Sequence, residues 1–527
     1  MEVTQIVINF IQNKRVKTVI WVILLLGVMG YHTRNIYFVI ISNVYIDNNT
    51  NEIWLLQFRA ILAFIISLSI VGILYMLSMT KLNLSKKYVI TGLILGVFYM
   101  LVFTPLSAPD EIHHYNSSIK LANAINPFFD SSYAKSNEYD FTKLVIHENV
   151  GSAYLRMRDH IQRDSQYHLI EQPTPYSIDY PIQYIPQVIG VLLARILNVN
   201  MIWAFYLARL LNFSFFVLCM ALAIKIIPYK KELVFLIGLL PMVFQQTVSL
   251  STDAFVNGLS ILAVSAIIYS VFQKGKLTKK ELMWFMIPLI LLSPTKLVYS
   301  LLSFMVFLIP NQRFTGKIKP FFQKCILVII PILSIFLFNI PRLITLFYTG
   351  NTGIAYERSF FTLAFVLQNP LSVLRILFNT VRINTVGYVL SLVGDFMSGR
   401  NLIIPNTFVY SFLVLLFLIS IKQDDETREL SINKKIITGL VCLAIYGLVI
   451  VVMLFAETPI GSFTVLGVQG RYFIPIALPG LFILSNRILV FKRDISKYFI
   501  MCAVLLSGFT ILHILRVTVD NYQLFIR

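Results

Sequence analysis

Long apolar runs, broken by short basic or polar stretches, pattern this chain from end to end. Apolar character fills residues 18–42, 55–79, 88–105, 201–227, 232–250, 254–272, 282–294, 297–310, 321–347, 403–421, 435–455, 471–486 and 497–518. Most of these are long enough for a helix to cross roughly 30 Å of bilayer hydrocarbon. None shows the period-two alternation of a membrane barrel, and a helix satisfies its own backbone in lipid. The pattern predicts an all-α polytopic integral membrane protein with about 13 transmembrane helices.

Composition strengthens that picture. Of 527 residues, 57% are hydrophobic and 13% charged, against about 25% charged in soluble domains. The net charge of +19 would attract nucleic acid if it formed one face. Instead the basic residues fall in short loops between apolar runs, as the positive-inside rule and anionic lipid require, so no nucleic-acid partner is expected. Cys219, Cys325, Cys442 and Cys502 all sit within apolar segments and read as small buried hydrophobes.

Charge placement orients the chain in a cytoplasmic membrane. With the N-terminus cytoplasmic, the inner loops collect Lys81, Lys86 and Lys87, then Lys225, Lys230 and Lys231, then Lys274, Lys276, Lys279 and Lys280. The clusters Arg313, Lys317, Lys319 and Lys324, then Lys422, Arg428, Lys434 and Lys435, then Arg487, Lys492, Arg493 and Lys497 continue the series. Counting 181–198 as a span would reverse two of these clusters, so it is expected to lie in the outer interface. The chain then divides into N-terminal spans (1–105), a large extracytoplasmic loop with interfacial helices (106–200) and central helices (201–347). A second outer loop (348–402), with an amphipathic helix on the leaflet, and C-terminal spans (403–527) follow.

Polar residues gather at the expected outer ends of the spans. In SAPDEIHHYNSSI, Asp110 and Glu111 precede His113 and His114, placing carboxylates and imidazoles within one helical turn. Such a group can act as a general base, hold a metal ion, or simply cap a helix. Asp253, in FQQTVSLSTDAFVNG, shares that side of the membrane and also suits a helix start. Lys296 in SPTK, Arg471 in GVQGRYFIP and Arg209 in LARLLN are cations able either to meet a phosphate or to anchor in the interface. The ensemble suits a lipid phosphate at the membrane surface, with a carboxylate activating an acceptor hydroxyl and cations receiving the departing phosphate. A phosphate-ester leaving group needs no nucleotide-binding motif, and neither a P-loop nor a GxGxxG occurs in a suitable setting.

These residues resemble the GT-C superfamily of polytopic glycosyltransferases, which use polyprenyl-phosphate-linked sugars outside the cytoplasmic membrane. PDEIHHY, YPIQYIPQVIG, ARLLN, LPMVFQQTVSLSTDAF, TKLVY and GVQGRYFIP together look like a family of bacterial membrane proteins placed beside that superfamily, over about residues 88–486. The resemblance implies a GT-C-like bundle that transfers a sugar from a polyprenyl phosphate to a surface polysaccharide, teichoic-acid-like polymer or glycolipid. It implies Asp110 or Glu111 as the catalytic acid position, Asp253 as the second-loop acid, and Lys296 and Arg471 as donor-phosphate contacts, with Tyr472 and Arg209 beside them. A divalent cation, Mg2+ or Mn2+, would take His113 and His114 with Asp110 or Glu111. The motif here is Asp-Glu rather than Asp-x-Asp, and two spans precede it where the superfamily typically has one. A transporter or flippase of a lipid-linked saccharide, and a polysaccharide ligase or polymerase, are the alternatives.

Overall fold

The computed structural model describes residues 14–42, 50–125, 154–155, 157–158, 180–197, 199, 201–344, 360–397, 402–423, 427–486, 488–492 and 495–524. The first helices are α1 (Lys14–Ser42), α2 (Thr50–Met79), α3 (Leu84–Val102) and α4 (Glu111–Ile125). Asn83 caps α3, its side-chain oxygen accepting the Lys86 N–H at 2.9 Å, which satisfies one of the free donors at a helix start. A 3-10 turn, Pro181–Tyr184, leads into α5 (Ile185–Ile196), followed by α6 (Met201–Ile226), α7 (Lys231–Ile237), α8 (Pro241–Thr247), α9 (Asp253–Phe272) and α10 (Lys279–Leu292). A 3-10 helix, Leu297–Leu308, precedes α11 (Pro320–Ile344), α12 (Leu363–Gln368), α13 (Pro370–Val393), α14 (Asn406–Ser420) and α15 (Ile432–Glu457). A second turn, Gly470–Phe473, opens α16 (Ile474–Leu484), and α17 (Ser496–Leu524) completes the order.

Strand structure among the described residues is limited to two-residue pairs. Phe396–Met397 runs antiparallel to Leu402–Ile403, and Lys422–Gln423 runs parallel to Val490–Phe491. The architecture is that of an all-α polytopic membrane protein. Among the described residues, nine helices are long and apolar enough to cross a membrane: α1, α2, α3, α6, α9, α11, α13, α15 and α17. Four shorter apolar helices accompany them.

The most enclosed of the nine is α9. It packs against α6 and α10, while α3 and α5 pack on α6. The α5–α6 approach is close because Gly190 has no side chain: a Cβ there would fall 2.5 Å from the Ala208 Cα. Helix α15 lies along the 3-10 helix Leu297–Leu308, which also contacts α11.

Several details depart from the apolar pattern. The run 232–250 is not one helix. Its first part ends as α7, Leu239 and Leu240 tighten into bonds to the carbonyls of Leu236 and Ile237, and Pro241 starts α8 afresh. Proline removes the N–H that a continuous helix needs but fits a first helical turn. The run 297–310 winds as a 3-10 helix over twelve residues. Within 348–402, expected as an outer loop carrying an amphipathic helix, Pro370–Val393 forms a 24-residue helix that is long and apolar enough to cross a membrane. Most of the cap expected over 106–200 lies outside the described residues, and its described parts are α4 and α5 with the residues around them. The cysteines are free, but only Cys219 is buried, and Cys502 is exposed.

Candidate functional site

Between α3 and α4 the chain turns sharply, and Leu106 and Asp110 adopt left-handed φ angles of 61° and 57°. A non-glycine residue there costs roughly 1–2 kcal/mol, which Asp tolerates best through local hydrogen bonding. A buried clamp holds this turn. Arg209 of α6 donates through Nε to Glu111 Oε1 at 2.8 Å and through Nη2 to Oε2 at 2.7 Å. Arg209 also donates to the carbonyls of Phe103 at 2.6 Å and Thr104 at 3.2 Å, while Glu111 Oε1 accepts the Leu250 N–H at 3.0 Å. One ion pair thus ties the end of α3, the start of α4, α6 and the segment before α9. Asn212 completes the fastening by donating to the carbonyls of Ser249 at 2.7 Å and Ser251 at 3.0 Å.

The clamp brings two carboxylates to one guanidinium. Asp253, at the start of α9, lies 2.5 Å from Lys296 Nζ and 3.9 Å from Arg471 Nε. Asp110 Oδ2 lies 3.8 Å from Arg471 Nη2, and its side chain is 64% exposed. Arg471 also donates to Gln246 Oε1 at 3.0 Å, and Tyr472 has Lys296 4.9 Å and Arg471 5.2 Å from its ring centre, within cation–π range. Gly470 makes this arrangement possible: a Cβ there would meet the Leu392 nitrogen and Ser391 Oγ at 2.3 Å, so the turn carrying Arg471 presses directly on α13.

These groups line a cavity of about 470 Å3. Val449, Val452 and Met453 of α15 supply an apolar wall, and Glu457 and Asn339 are polar lining groups. Gln183 and Tyr184, from the turn before α5, complete another side. The Tyr184 hydroxyl is 3.1 Å from His114 Nδ1. Burial pushes the His114 pKa down to about 4, more strongly than Asp253 and Asp110 raise it, so the ring is neutral at pH 7. Basic residues mark the opposite ends of the same helices: Lys86 and Lys87 open α3, Lys274 follows α9, Lys279 opens α10, and Lys434 lies in the first turn of α15.

Of the residues singled out in the sequence, Asp110, His114, Asp253, Lys296, Arg471 and Tyr472 meet in the cavity. Glu111 and Arg209 do not reach it. Both are essentially inaccessible and hold each other, so Glu111 fastens the site instead of acting as its base, and Arg209 lies too deep for a donor phosphate. His113 is exposed and lies outside the cavity lining. Among the described residues no three His, Cys, Asp or Glu side chains gather as a metal site, because the clamp engages Glu111 and His113 points elsewhere; the expected His113–His114 ligand pair does not fit a protein-held divalent cation. Gln246, Glu457, Gln183, Tyr184 and Tyr299 escaped the sequence reading. A carboxylate closing the apolar run at FAETPIG, and Gln-Gln inside LPMVFQQTV, were the available signals.

No curated protein and no solved structure matches the chain. The model of one family, described as "Predicted membrane protein (DUF2142)", matches residues 93–479, a stretch that includes every charged residue of the cavity. Because that match covers well over half of the sequence, the chain belongs to the DUF2142 family of membrane proteins.

Proposed function

We propose that the protein is a membrane glycosyltransferase of GT-C type that moves a sugar from a polyprenyl-phosphate donor to a glycan or glycolipid acceptor. The observation that carries this reading is the meeting of an exposed carboxylate, Asp110, with two cations, Lys296 and Arg471, in a cavity with an apolar wall. In the transfer, Asp110 takes the proton of an acceptor hydroxyl, whose oxygen attacks the anomeric carbon. The bond from that carbon to the phosphate oxygen breaks, and the departing polyprenyl phosphate carries the electron pair to Arg471 and Lys296. Both cations are preorganised by Asp253, so little rearrangement is needed as charge develops. The side chains of α15 suit the first isoprene units. The basic clusters lie at the other end of these helices, which by the positive-inside rule supports an extracytoplasmic cavity in this reading.

Membranes or purified protein supplied with labelled polyprenyl-phosphate sugars test the reading. Removing a general base lowers transfer by about 10²–10⁴-fold, so Asp110→Asn should do so while leaving the protein folded. Full transfer by Asp110→Asn would exclude Asp110 as the base, and no transfer from any polyprenyl-phosphate sugar by the wild type would exclude the reaction.

A further inference from the structure

A second cavity, of about 440 Å3, lies at the far end of the helices from the candidate active site, between the end of α6, the end of α9 and the start of α10. Lys225, Lys274, Lys276 and Lys280 line it, together with Trp284, Tyr269 and the apolar Leu222, Ile226 and Ala266. Its carboxylate, Glu281, is already paired with Arg313 at 2.9 Å. That pair cancels internally, so among the described residues lining the cavity four ammonium charges are left without a carboxylate.

Several other lysines at this end are engaged. Lys87 donates to the Leu77 carbonyl at 3.1 Å, Lys230 to Ile421 at 2.6 Å, Lys324 to Asn311 at 2.7 Å and Lys435 to Glu429 at 2.8 Å. Among the described residues, Lys225, Lys274, Lys276 and Lys280 have no such partner. Their backbone is nonetheless fixed. Arg313 donates to the carbonyls of Gly275 at 3.1 Å and Lys276 at 3.2 Å, Leu277 donates to the Arg313 carbonyl at 2.8 Å, and Thr278 and Glu281 form a capping box. A hydrogen-bonded loop thus displays exposed cations beside an apolar wall and an indole, the combination that receives a lipid headgroup over its acyl chains.

We infer that this cavity binds the phosphate headgroup of an anionic glycerophospholipid, with Lys225, Lys274, Lys276 and Lys280 around the phosphate and Trp284 against the glycerol and upper acyl chain. Each ammonium near an anionic headgroup contributes roughly fivefold in affinity. Native mass spectrometry of the full-length protein, purified in detergent and offered phosphatidylglycerol or phosphatidylcholine, reads the occupancy. The variant K225Q/K274Q/K276Q/K280Q should retain at least about tenfold less phosphatidylglycerol with phosphatidylcholine unchanged, and the corresponding fourfold arginine variant should retain it. The pair K274Q/K276Q gives the same readout if the fourfold variant does not fold. Equal phosphatidylglycerol retention in a folded glutamine variant overturns the inference. Inorganic pyrophosphate bound through these lysines, with no phosphatidylglycerol bound, also overturns it and points to a soluble phosphate.

Discussion

Replacing Arg209 by methionine tests whether the buried clamp builds the candidate site. The substitution keeps most of the side-chain volume but removes the charge and every donor. Glu111 would be left ionised in the interior, and the carbonyls of Phe103 and Thr104 would lose the bonds they now accept at 2.6 and 3.2 Å. Removing one partner of a buried ion pair costs about 3–5 kcal/mol. Glu111→Gln, which strands the guanidinium, belongs in the same range. Because both changes break one interaction, the double variant should cost less than their sum, by roughly 0.5–3 kcal/mol. Denaturant unfolding in mixed micelles measures all three, and labelled-sugar transfer by the still-folded fraction reports the site. Transfer should fall in Arg209→Met even where folding persists, since the clamp sets Asp110 and Asp253 around Arg471. Single-variant costs under about 0.5 kcal/mol, the level of an ordinary surface change, with strict additivity would refute the clamp.

Other outcomes follow from individual contacts. Asp110→Asn, at a mostly exposed side chain, should shift stability by no more than about 0.5 kcal/mol while transfer collapses, which separates chemistry from folding. Gly470→Ala forces a methyl into the α13 backbone and should lower both stability and transfer. Gly480→Ala, inside α16 and meeting nothing within 4 Å, should leave transfer unchanged and stability equal or slightly raised, since alanine is favoured over glycine within a helix. His114 has its folded pKa depressed to about 4 from 6.5, so the unfolded chain takes up the proton first on acidification. Stability should be full above pH 6.5 and decline as pH falls towards 4, and His114→Phe should flatten that part of the unfolding profile. An unchanged profile would remove His114 from the account.

The membrane class and most helices were legible because hydrocarbon thickness imposes a length that hydropathy reads directly. Asp253, Lys296 and Arg471 were legible as polar groups at the ends of apolar runs. Which of two adjacent carboxylates faces the cavity was not. Asp110 and Glu111 differ by one step of backbone, and only the packing of α6 shows that Glu111 turns inward to Arg209. Arg209 misled for the same reason, since a cation near a helix end looks alike whether it meets lipid, phosphate or a buried acid. The break at Pro241 was hidden by the apolar residues on both sides, although proline itself was the signal. Nothing in LVYSLLSFMVFL distinguishes a 3-10 winding from an α-helix.

That winding sets a length. A 3-10 helix rises about 2.0 Å per residue and an α-helix 1.5 Å, so the twelve residues of Leu297–Leu308 extend about 24 Å instead of about 18 Å. Lys296 stands just before the segment, beside Asp253, and Arg313 follows five residues after its end, in the 3-10 turn Asn311–Arg313, beside Glu281. An α-helix of the same residues would fall about 6 Å short, more than one ion pair's reach. The segment therefore works as a strut whose pitch lets one short stretch of chain anchor both cavities at once, and a single inserted residue would misplace one of its two ends.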